Sequence, residues 1–153
     1  MKTIQSFTVD HDFIVPGLYV SRVDGDVTTY DLRTRKPNGE DLMSHLIMHS
    51  MEHLFATYIR NSDMGEQILY FGPMGCRTGF YLLVRNADNE KVLAKVKEIL
   101  GQIVAHDGPM FGATRKECGN YRELSVEAAK EEAARYLAAL ETGSAQFVYP
   151  TEG

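Results

Sequence analysis

The stretch "GLYVSRVDGDVTTYDLRTRKPNG", Gly17 to Gly39, holds two β-rich runs around Val23-Asp24-Gly25-Asp26. An Asp-Gly pair between β-branched and aromatic residues is a strong short-range hairpin signal, because glycine supplies the positive φ that a tight turn requires. The expected strands run from about Leu18 to Val23 and from Val27 to Arg35, and Pro37-Asn38-Gly39 ends the second. From Asp41 to Asn61 the apolar residues Leu42, Leu46, Ile47, Leu54 and Tyr58 recur near helical spacing. Two further strand-like runs, "QILYFG" and "TGFYLLV", flank the elbow Gly72-Pro73-Met74-Gly75-Cys76. A helix with Val92, Val96, Ile99 and Ile103 on one face is expected over Asp88 to His106. Gly108 to Asn120 reads as a loop, and Ser125 can cap a last helix reaching Glu141, with Glu127 in its first turn. Strands joined locally as hairpins, with helices between and after them, predict an α+β fold with helices packed on one face of an antiparallel sheet. No repeat, linker or low-complexity tract divides residues 1–153, so a single domain is expected.

A chain of 153 residues with 44% hydrophobic content can bury a substantial core, so a metal here would serve chemistry rather than folding. The net charge of −5, with lysines and arginines scattered among acidic neighbours, argues against a nucleic-acid partner. No apolar run approaches the roughly 20 residues of a membrane span, and the N-terminus lacks the apolar segment of a secretion signal, so a cytoplasmic protein is expected. The two cysteines, Cys76 and Cys118, read as thiols with separate jobs.

On the helix expected over Asp41 to Asn61, the segment "HSMEHLF" sets His49 and His53 one turn apart, with Glu52 flanking the same face. Two imidazoles so arranged can share an ion while the carboxylate beside them moves protons without being a ligand, although two polar histidines on a half-exposed helix would read the same way. His45 would extend the series, but it stands about 12 Å along the axis from His53, too far for one ion; a solvated or helix-end residue is expected there. A thiolate would complete the ligand set, and spacing leaves the choice between Cys118 and Cys76 open. The H-x-x-E-H pattern also occurs in metallopeptidases, which would want a glutamate such as Glu117, Glu123 or Glu127 as third ligand. A noncatalytic metal-stabilised module would fill the fourth position, with Cys76.

"SFTVDH" (Ser6 to His11), "DLR" with a trailing "PN" (Asp31 to Asn38), "HSMEHLFA", "PMGCRTGFY" (Pro73 to Tyr81) and "CGNY" (Cys118 to Tyr121) succeed one another along most of the chain. In this the sequence resembles the S-ribosylhomocysteine lyase family, the LuxS-type autoinducer-2 synthases. The resemblance implies that His49, His53 and Cys118 bind one divalent metal per chain, Fe(II) with zinc or cobalt as substitutes. It implies that Glu52 and Cys76 are the acid/base residues and that Ser6, His11 and Arg33 hold the substrate S-ribosylhomocysteine. It further implies a homodimer with the active sites at its interface. The products would be homocysteine and the autoinducer precursor 4,5-dihydroxy-2,3-pentanedione. Thr34-Arg35, where the family usually has Phe-Cys, and Tyr70-Phe71-Gly72, where an Asp-Ile-Ser type sequence is usual, depart from the pattern near the substrate's homocysteine end.

Overall fold

The computed structural model of the chain describes residues 1–143 and 146–151. A short 3-10 turn at Gln5–Phe7 precedes β1 (Gly17–Asp24) and β2 (Val27–Arg33), and α1 (His45–Arg60) follows. Next come β3 (Ile68–Pro73), β4 (Gly79–Arg85), α2 (Asn89–Val104), α3 (Val126–Thr142) and β5 (Gln146–Phe147). The sheet order is β3-β4-β2-β1-β5. Four strands are antiparallel to their neighbours, as expected, but β5 adds a parallel edge beside β1, so the expected antiparallel sheet is corrected to a mixed one. Two paired residues leave no periodicity to read, which is why Gln146 and Phe147 gave no sequence signal.

The first hairpin closes on Gly25-Asp26, with Gly25 at φ 61° and Asp24 paired to Val27. Tyr30, Leu32, Phe80, Leu82 and Val84 from the sheet share one core with Leu54, Phe55, Ile59, Val96, Ile99, Ala133 and Tyr136 from the helices. Residues paired across antiparallel strands share a face, so Tyr19, Asp31 and Tyr81 lie side by side on the other face. Among the described residues no helix is long and apolar enough to cross a membrane.

α1 starts at His45 rather than near Asp41, because Ser44 accepts the Ile47 amide and fixes the N-terminus there. Asp41 has another use. Its carboxylate takes Arg35 Nη1 at 2.7 Å and Arg135 Nη1 at 2.6 Å. Arg35 also meets Glu132 on α3, at 2.5 Å from Nη2 and 3.2 Å from Nε, and both side chains of that pair are buried. Removing one partner of a buried ion pair leaves the other uncompensated, so Glu132→Ala should lose about 3 kcal/mol of folding stability, measured as the shift in urea midpoint at constant slope.

Candidate metal centre and active site

His49 and His53 sit one turn apart on α1 with their rings 4.7 Å apart, nearly perpendicular. His49 Nδ1 lies 2.8 Å from the Glu123 carbonyl and His53 Nδ1 lies 2.8 Å from the Phe111 carbonyl. A carbonyl can only accept, so each Nδ1 carries the proton and each Nε2 is left with its lone pair. Those lone pairs face Cys118, whose Sγ stands 3.3 Å from His49 Nε2 and 3.7 Å from His53 Nε2. Two donors about 2.1 and 2.3 Å from one tetrahedral ion lie about 3.6 Å apart, so these separations match the edges of a single coordination polyhedron. The three donor atoms fall within 4.8 Å of one another and could hold a metal ion. Outer hydrogen bonds of this kind fix ring orientation and raise ligand basicity.

The loop between α2 and α3 is built to deliver these groups. Cys118 is anchored by its own amide on the Thr114 carbonyl, and the Asn120 amide lies 3.4 Å from its sulfur. Gly112 has φ 64°, and a Cβ there would come within 3.3 Å of His53 Nδ1, so glycine lets the loop close against the ligand. The buried His106 holds the loop's first turn: its Nδ1 meets Tyr58 Oη at 2.6 Å and its Nε2 meets the Pro109 carbonyl at 3.0 Å.

Glu52 is half-buried beside the histidines and is not among the clustered donors. His45 is the exposed first residue of α1, the helix-end position expected for it. The third donor is Cys118 rather than a glutamate: the Glu117 carboxylate accepts from Thr114, and Glu123 approaches through its carbonyl. Cys76 also lies outside the cluster, and no glutamate joins it among the described residues, so neither the peptidase ligand set nor the closed structural one is assembled within a single chain.

Cys76 instead occupies the turn between β3 and β4, exposed at its tip. The turn is tight because Arg77 adopts φ 64° and the Met74 amide bonds the Gly79 carbonyl. Arg33 Nη1 donates to Thr78 Oγ1 at 2.8 Å, and Thr78 Oγ1 is 3.0 Å from Cys76 Sγ, so one hydroxyl separates the guanidinium from the sulfur. Burial works against the Arg33 charge, but the hydrogen bonds and field of Asp31 outweigh it and keep the guanidinium ionised. Ser6, His11, Arg33, Cys76 and Tyr81 line one cavity of about 320 Å³. Burial and the nearby Asp31 raise the Tyr81 phenol above the usual tyrosine range, so it faces this cavity as an O–H group.

The structure thus brings the expected residues together in two groups: Ser6, His11, Arg33 and Cys76 around the cavity, His49, His53 and Cys118 around the donor cluster. The cavity lining includes neither Glu52 nor any of the three donors. Arg35, one of the departures, does not line it either, being engaged by Glu132. Sequence reading missed Asp31 and Thr78, each two residues from a chosen site residue on a strand or tight turn, where an i, i+2 search would have found them. The carbonyls of Phe111 and Glu123 had no signal.

The family model described as S-Ribosylhomocysteinase (LuxS) matches residues 4–146. Curated relatives named S-ribosylhomocysteine lyase include that of Borreliella afzelii (strain PKo), 43% identical over 143 residues, covering 90% of this chain and 91% of that protein. The protein of the same name from Finegoldia magna is 42% identical over 142 residues, and covers 90% of each chain. That of Clostridium beijerinckii is 42% identical over 143 residues, again with 90% of each chain covered.

Proposed function

The chain belongs to the S-ribosylhomocysteinase (LuxS) family, and from that premise we infer that it is an S-ribosylhomocysteine lyase, a carbon–sulfur lyase of the cytoplasm. The reading rests on one observation above the others: two tautomer-fixed imidazoles converge on a thiol, beside a carboxylate that is not in the cluster. A thioether sulfur leaves readily only from the carbon β to a carbonyl, so the sugar carbonyl must first move from C1 to C2 and then to C3. Each move is a pair of proton transfers through an enediol. His49, His53 and Cys118 would hold a divalent metal, with Fe(II) expected and zinc or cobalt able to substitute, and it would supply the Lewis acidity that makes the adjacent C–H protons removable.

The chain's own residues do the rest. Arg33, Ser6 and His11 orient the substrate in the cavity. Cys76 moves protons during the carbonyl shifts, its sulfur set beside the Thr78 hydroxyl that Arg33 holds. Glu52 takes the C4 proton as homocysteine departs from C5 as thiolate, leaving a C4–C5 enol that gains a proton at C5 to become 4,5-dihydroxy-2,3-pentanedione, the autoinducer-2 precursor.

One sugar must reach Cys76, Glu52 and the metal together, yet the Cys76 cavity includes none of the latter groups. A homodimer in which one copy's cavity faces the other's donor cluster supplies a complete site, and it would cover the exposed Ile4 and Phe7 near the cavity. The test is complementation. Cys76→Ala and Cys118→Ala, each inactive alone, should on subunit exchange regain about a quarter of wild-type activity, because half the dimers carry one intact site of two. No recovery despite demonstrated exchange would place the whole site within one chain.

A further inference from the structure

The carboxylate that orients Arg33 accepts a third hydrogen bond, supplied by a part of the chain that lies beyond the family match. Asp31 is 1% exposed and takes Arg33 Nε on Oδ1 at 3.1 Å and Nη2 on Oδ2 at 2.5 Å. The Tyr149 hydroxyl donates to the same Oδ2 at 2.7 Å. We propose that Tyr149 is a positioning residue for the lyase site: its hydroxyl, acting through Asp31, fixes the Arg33 guanidinium at the wall of the Cys76 cavity.

The segment is held where it can do this. β5 pairs Gln146 with Leu18 and Phe147 with Tyr19, which brings the chain along the sheet edge. The Tyr149 ring then stacks on Tyr19 at 4.8 Å and 23°. Tyr19 neighbours Asp31 across the β1–β2 pair, so the stack sets the hydroxyl on the carboxylate. Burial, then the charge of Asp31, push the phenol far above the ordinary tyrosine range, so this group is a constant donor and not a switch. With both Asp31 oxygens occupied, Arg33 uses Nη1 for Thr78, the hydroxyl that touches Cys76. Removing the Tyr149 hydroxyl leaves Oδ2 with one partner, so the Asp31 carboxylate can turn about its own side-chain bond and carry the paired Arg33 plane with it, displacing the group that would bind substrate. Gly79 opposite Arg33 allows this packing, since a Cβ there would lie 2.6 Å from the Leu32 carbonyl oxygen.

The proposal rests on Arg33 being a substrate-binding residue. Tyr149→Phe keeps the stacked ring and should raise KM for S-ribosylhomocysteine about tenfold with kcat within about twofold, while the lost buried hydrogen bond lowers the thermal midpoint by only several degrees, leaving the chain folded under assay conditions. In an Arg33→Gln background the same change should add nothing to KM. Wild-type KM in Tyr149→Phe, or KM losses that multiply in the double variant, overturns the proposal while leaving the role of Arg33 intact. Wild-type KM in Arg33→Gln overturns both. Should Tyr149→Phe fold poorly, Asp31→Asn, which keeps the side chain's size but loosens its hold on Arg33, should raise KM likewise, and wild-type KM there overturns the proposal.

Discussion

Glu52→Gln and Cys76→Ala are expected to retain full metal content and to lose most of their turnover. Loss of one positioned general acid or base costs about 10²- to 10⁴-fold in rate, well beyond the effect of a local packing change. Neither residue is in the donor cluster, so metal analysis separates this outcome from collapse of the site. The two variants should differ in what accumulates. Glutamine keeps the size of glutamate but cannot take a proton, so with Cys76 intact the carbonyl can still move and a ketose should build up before elimination. Cys76→Ala should stall at or before the first carbonyl shift. Substrate labelled with carbon-13 and followed by NMR distinguishes these species directly. Near-normal turnover by Glu52→Gln removes it as the eliminating base, and metal loss in Cys76→Ala makes that thiol a ligand.

The second large effect concerns the ion. Cys118→Ala and His53→Ala should purify with little metal, their affinity falling on the order of 100-fold or more, since the loss of even an outer hydrogen-bond partner costs about 10- to 100-fold. The helix is packed in the core and the loop is tied down through His106, both by contacts that do not involve the ion, so the apoprotein should stay folded. Circular dichroism close to wild type together with elemental analysis near zero is the expected pair of results. Undiminished occupancy in Cys118→Ala takes that residue out of the ligand set.

Most elements were legible where periodicity was long or a turn was chemically specified. Asp24-Gly25 fixed the first hairpin, and Val92, Val96, Ile99 and Ile103 marked the buried stripe of α2, where they are now fully enclosed. The expected start of α1 lies upstream of the observed one because Leu42 continues the apolar spacing and Asp41 could cap the helix as well as Ser44, the residue that does. Within the site, His49 and His53 advertise themselves by i, i+4 spacing. Cys118 lies 65 residues beyond His53, and only the fold brings its sulfur to the imidazoles and takes Cys76 elsewhere. Backbone carbonyls such as those of Phe111 and Glu123 are carried by every residue and so have no sequence signature. Tyr149 could not be read at all, since its partner Asp31 lies 118 positions away.

The loop between α2 and α3 brings three groups to α1 in one closure: the Phe111 carbonyl, the Cys118 thiol and the Glu123 carbonyl. The two carbonyls flank the thiol in sequence and set both imidazole tautomers. Opening the loop therefore removes a ligand and at the same moment frees both rings to turn. Ion exchange should accordingly follow the kinetics of loop opening rather than successive loss of single ligands, and the ease of that opening is set by His106, whose ring ties Pro109 to Tyr58 without being a donor itself.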